Sequence, residues 1–109
     1  MEKYHDILDK IVQGLQSVFG DLLEQIILYG SVARGTQTEE SDIDIAVIVR
    51  PYTDEMHNRM IDLAVDLELK YDKVLSLILI DYYNFKEWGA VLPFYKNVKK
   101  DGVTLWSAA

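Results

Sequence analysis

Gly30-Ser31 and, after ten intervening residues, Asp42-Ile43-Asp44 are the side chains of this sequence whose types and spacing are best suited to chemistry. A glycine at the turn lets the backbone take φ > 0 and come close to a ligand. Ser31 is expected to cap a short helix opening at Val32 while offering its hydroxyl to a phosphate. Free N–H groups at that helix start favour an anion, Arg34 adds a cation one turn on, and Gly35 ends the helix. Asp42 and Asp44 share a face if the segment is extended, roughly 6.6 Å apart at Cα on a rise of about 3.3 Å per residue. Two carboxylates that converge beside substrate phosphates form a typical magnesium environment. The combination is the equipment of phosphoryl or nucleotidyl transfer.

The elements around these residues must hold them in place. Ile26-Ile27-Leu28-Tyr29 reads as a short buried strand that stops at Gly30, and the polar loop Thr36–Ser41 leads into a second strand, Ile43–Val49. Upstream, Ile7, Leu8, Ile11, Val12, Leu15, Val18 and Phe19 recur at helical spacing, and Gly20 is placed to end that helix. Pro51 stops the second strand, Thr53 or Asp54 can cap the next helix, and Met56, Met60, Leu63, Ala64 and Leu67 mark its inner face. Extra apolar residues at Ile61, Val65 and Leu69 predict that this helix is well buried. Val74–Ile80 is nearly all apolar and reads as a central strand covered on both faces, with Ser76 its one polar residue.

The C-terminal third predicts more surface than chemistry. Asn84-x-x-Glu87 has the form of a capping box for a short helix, and Pro93 separates it from a second helix, Phe94–Lys100, closed by Gly102. Lys96, Lys99 and Lys100 suit a helix C-terminus. Val103, Leu105 and Trp106 form a packing or pairing tail, and Trp88, Phe94, Tyr95 and Trp106 are candidates for an interaction patch. His5 and His57 read as surface or capping residues. The fold predicted is α/β (α+β): a small mixed β-sheet flanked by helices.

Composition bounds the function. With 109 residues, half of them apolar, one globular domain over residues 1–109 is expected, any second module coming from a partner. The net charge of −7 argues against direct nucleic-acid binding, which needs Lys and Arg against phosphates. No cysteine is present, which excludes disulfides and thiolate metal sites. The amphipathic start is unlike a signal peptide, and no apolar run approaches the roughly 18 residues that span a bilayer. A cytoplasmic protein without membrane contact is the expectation.

Gly30-Ser31, Ala33-Arg34-Gly35, Ser41 and Asp42-x-Asp44 resemble the signature of the DNA polymerase β-like nucleotidyltransferase superfamily, and most closely its minimal nucleotidyltransferases. The resemblance implies that Gly30, Ser31 and Arg34 hold the phosphates of an NTP, with ATP as donor, while Asp42 and Asp44 ligate Mg²⁺ and carry catalysis. It further implies an antitoxin whose partner is a helical HEPN protein, with adenylylation of a tyrosine on that partner. The superfamily commonly carries a third carboxylate on the strand after the aspartate pair. Here Ser76 holds the best-matching position, and Asp72 shares its parity should that strand begin early. Two other readings follow: a binding module that neutralises a HEPN partner by covering it, and a nucleotidyltransferase for a small molecule of the aminoglycoside type.

Overall fold

The structure, a computed structural model, describes residues 4–108. Helix α1 (His5–Phe19) carries the expected apolar stripe and buries Ile7, Leu8, Ile11, Leu15, Val18 and Phe19. Gly20, at φ 53°, ends it, and a single 3-10 turn leads into strand β1 (Leu23–Tyr29). After the short helix α2 (Gly30–Arg34) and a loop come strand β2 (Ile43–Val49), helix α3 (Asp54–Tyr71) and strand β3 (Leu75–Asp81). Helices α4 (Tyr82–Trp88) and α5 (Pro93–Asp101) and strand β4 (Val103–Ser107) complete the described chain.

The four strands form one mixed sheet in the order β3-β2-β1-β4, with β1 antiparallel to β2 and β4 and β2 parallel to β3. The parallel pair requires a crossover, which α3 supplies. Alternation along the strands sorts the side chains into two layers. Ile26, Leu28, Ile43, Ile45, Val47 and Val49 pack under α1 and α3, whereas Ile27, Ala46 and Ile48 pack under Phe85 of α4 and Val98 of α5. Gly14 lets the two helices of the first layer approach: a Cβ there would lie 2.5 Å from Leu63 Cδ1 and 2.7 Å from Cδ2. One end of the sheet is clamped by Arg50, whose Nε donates to Glu24 and whose Nη1 donates to the Tyr83 hydroxyl at 3.1 Å, with the guanidinium over the Tyr82 ring.

The mixed sheet flanked by helices is as expected, but three details differ. Strand β3 is an edge strand, paired with β2 alone, and its middle residues are only partly buried. Its apolar run is explained by helices lying over both faces, not by strands on both sides. Helix α3 buries only Met60 and Leu67, and Ile61, Val65 and Leu69 face outward, Leu69 at 80 % exposure. The expected capping box at Asn84 is also displaced. Asp81 caps α4, its carboxylate accepting the Asn84 N–H at 2.9 Å. Thr53 caps α3 through the Met56 N–H, and Pro93 opens α5 at a position where its missing N–H costs nothing.

Burial separates two substitutions. Ile45, fully buried in the core layer on the α1 and α3 side of the sheet, should cost about 2–5 kcal/mol when changed to alanine. Leu69→Ser should stay within about 0.5 kcal/mol of wild type. Urea denaturation followed by circular dichroism measures both, and comparable losses at the two positions would contradict the layering.

Candidate active site

Two left-handed glycines bracket α2. Tyr29 leaves β1 extended, Gly30 turns the chain at φ 76°, and Gly35 closes the helix at φ 75°. The Thr36 N–H returns to the Ser31 carbonyl at 3.0 Å and the Gly35 N–H to Val32 at 3.3 Å, which satisfies carbonyls left free at the helix end. The helix therefore begins two residues before the expected Val32. Ser31 lies inside the first turn and makes no capping bond, leaving its hydroxyl uncommitted to the helix. Val32 is buried and anchors the turn to the first layer of the core.

The loop that follows is tied at Thr38 and Ser41: the Thr38 N–H donates to Ser41 Oγ at 2.9 Å and the Ser41 N–H to the Thr38 carbonyl at 3.1 Å. It delivers Asp42, exposed and one residue ahead of β2, and Asp44, partly buried as the second residue of the strand. Register then places Asp44 opposite Tyr29 on β1 and opposite Ser76 on β3. These three residues form one row across the sheet, on the face that α4 and α5 cover.

Gly30 is fitted around Asp44. A Cβ built on Gly30 would overlap the Asp44 carboxylate and lie 3.1 Å from its Cγ, so that only glycine allows both the left-handed turn and the close approach. Burial raises the Asp44 pKa above its ordinary value, the negative charge of Asp42 raises it further, and Arg34 opposes both. Tyr29 is likewise raised, by burial and then by Asp44. A cation between the aspartates would remove their repulsion, and two carboxylates beside a turn open to phosphate are the donor set that magnesium takes with a nucleotide. The residues present thus fit a Mg-nucleotide.

Arg34 is on the same side but committed elsewhere in part, its Nη1 lying 3.9 Å from Asp101 Oδ2 at the end of α5. Ser76 is the β3 residue in register with Asp44. Asp72 does not lie on that strand: β3 begins at Leu75, and Asp72 is the left-handed C-cap of α3, exposed in the turn. Among the described residues no group of three His, Cys, Asp or Glu gathers to hold a metal. Two neighbours were not legible in the sequence: Tyr29, visible only as the residue before the glycine, and Asp101, which reaches Arg34 from a distant helix.

A family model described as a nucleotidyltransferase domain matches residues 8–103. The chain belongs to this nucleotidyltransferase family. The provisionally named protein adenylyltransferase MJ0604 of Methanocaldococcus jannaschii is 36 % identical over 102 residues, covering 91 % of this chain and 94 % of the relative. A crystal structure of a toxin–antitoxin with AMP-PNP superposes with TM-score 0.59 at 28 % identity, covering 92 % of this chain and 73 % of the other. A structure described as a minimal nucleotidyltransferase shares the fold at TM-score 0.65 and 19 % identity, over 94 % and 92 % of the two chains. So does the MNT–HEPN complex of Shewanella oneidensis whose HEPN toxin is tri-AMPylated, at TM-score 0.54 and 24 % identity over 92 % and 69 %. The nucleotidyltransferase thus has a four-stranded mixed sheet of the minimal kind.

The Asp44 shift has a signed consequence. Its folded pKa lies above the ordinary 3.8, so the unfolded chain ionises first as pH rises. Stability is then lost between the two pKa values and stays lost above them. Asp44→Asn should therefore raise the melting temperature at neutral pH, with the gain fading as pH falls through the raised folded pKa and gone below 3.8. Thermal melts across pH check this, and a variant less stable than wild type at neutral pH would contradict it.

Proposed function

We propose that this nucleotidyltransferase moves AMP from Mg-ATP onto a hydroxyl, a tyrosine on a HEPN-type protein partner, and so acts as an antitoxin in the cytoplasm. The observation that carries the reading is the close seating of Gly30 on Asp44, with Asp42 adding a second carboxylate to the same turn. The relatives support it: one named for protein adenylylation, one toxin–antitoxin bound to AMP-PNP, and one complex with an AMPylated HEPN toxin. Residues 1–109 act as a single domain in this reading.

The roles follow from position. Gly30 and Ser31 hold the β and γ phosphates at the turn, and Arg34 adds positive charge, shared with Asp101. Asp42 and Asp44 hold magnesium. The metal, when bound, neutralises charge on the triphosphate and on the departing pyrophosphate. An acceptor oxygen forms its bond to the α-phosphorus as the bond to the bridging oxygen breaks; pyrophosphate leaves and the hydroxyl proton passes to solvent. Such transfer depends mainly on positioning and charge neutralisation. Ser76 supplies neither a base nor a strong metal ligand, so turnover should be slow.

Label transfer from α-labelled ATP to a co-purified HEPN-type partner tests the proposal. Asp42→Asn and Asp44→Asn should each lower transfer by roughly a hundredfold or more. Neutralisation of the partner that survives both variants, with no label moved by wild type, would instead support the binding module, which the serine beside Asp44 favours. Transfer to a small molecule without protein acceptor would support the aminoglycoside-type reading.

Ser76→Asp should accelerate transfer by about tenfold or more, since a well-placed base typically contributes about a hundredfold at least. Single-turnover rates measure it. A slower enzyme would show that the register position beside Asp44 is not open to the acceptor.

A further inference from the structure

Phe94 is an aromatic ring left at the surface where the fold had an opportunity to bury it. It follows Pro93 in the first turn of α5 and is 42 % exposed, although its ring meets Tyr29 edge to face at 5.7 Å and 88°. Behind it the contacts continue into the second layer, Phe94 to Tyr95 at 6.0 Å and Tyr95 to Phe85 at 5.5 Å. The ring is thus supported from two sides and open on another.

Its support is the residue that begins the site. Tyr29 is bonded to Gly30 and stands opposite Asp44 in the register. Phe94 is therefore one side chain removed from the row Tyr29–Asp44–Ser76 and on the same face of the sheet. Of the exposed apolar residues at the α4–α5 corner, which include Trp88, Val91 and Leu92, it is the one in ring contact with Tyr29.

We propose that the exposed ring of Phe94, backed by Tyr29, seats the nucleobase of the bound NTP by stacking. The proposal rests on the nucleotide reading above and extends it to base selection: a stacking platform reads π area, not hydrogen-bond pattern, so purine nucleotides bind more tightly than pyrimidine ones. Tyr29 is a positioning residue here, holding the Phe94 ring at a fixed angle beside the phosphate turn.

Calorimetric titration of the full chain with Mg-ATP and with magnesium tripolyphosphate, which has the phosphates without base or ribose, separates the base seat from the phosphate site. Phe94→Leu keeps apolar bulk against Tyr29 but removes the π face. It should weaken ATP binding roughly five- to a hundredfold, the range of one aromatic–base stack, leave tripolyphosphate unchanged, and shrink the preference for ATP over UTP. Phe94→Tyr should restore ATP affinity. Equal loss of both ligands in Phe94→Leu would assign Phe94 a packing role and overturn the base seat. So would unchanged ATP binding in that variant. Wild type binding tripolyphosphate as tightly as ATP would also overturn the seat while leaving the phosphate site standing. Failure of wild type to bind either ligand would overturn both the seat and the nucleotide reading beneath it.

Discussion

Everything around the site depends on one steric constraint: the backbone at residue 30 and the carboxylate of Asp44 occupy space that a single methyl group would fill. The antiparallel pairing of β1 with β2 creates this closeness by setting Tyr29 opposite Asp44, so the chain leaving β1 must turn across the end of β2. A left-handed glycine makes that turn without steric cost, and α2 then points its first turn over the carboxylate. A half-buried carboxylate with a like-charged neighbour is unfavourable in the isolated chain. That local cost has the form expected of a site organised to receive a cation rather than to stabilise the fold.

The division of the sheet into two faces explains why the site lies where it does. One face is sealed by the long helices α1 and α3, against which the larger of the two core clusters packs. The other is covered by the short helices α4 and α5, whose core contribution is smaller and whose corner leaves Trp88, Val91, Leu92 and Phe94 at the surface. The aspartate row lies on this second, thinly covered face, and the edge position of β3 leaves Ser76 without a strand beyond it. A minimal domain thus keeps a firm core behind the site and an open approach in front of it.

How much of this was legible in the sequence follows from the range of the forces involved. The Gly30 turn, the place of Asp44 at the start of β2, and the α1 stripe rest on local geometry, and they were readable. Ser31 as a cap failed because Gly30, freed by its positive φ, starts the helix earlier than residue preference suggests. The burial of α3 and the central place of β3 failed for one reason: apolar content does not reveal how many neighbours an element has, and Ile61, Val65 and Leu69 face away from the sheet. Asp72 was excluded by where α3 ends, a boundary set by its left-handed cap. Asp101 beside Arg34 and Phe94 beside Tyr29 are tertiary contacts across more than sixty residues, and no local pattern encodes them.

The central claim is that Asp42 and Asp44 hold a metal that secures a triphosphate on the Gly30 turn. A crystal of the protein grown with Mn²⁺ and a non-hydrolysable ATP analogue tests it most directly, because anomalous scattering locates the metal independently of any model of the nucleotide. A peak bonded to both carboxylates is expected, with phosphate oxygens completing its shell and the β and γ phosphates against Gly30 and Ser31. Nucleotide bound elsewhere, or a metal that ignores the aspartate pair, would contradict it.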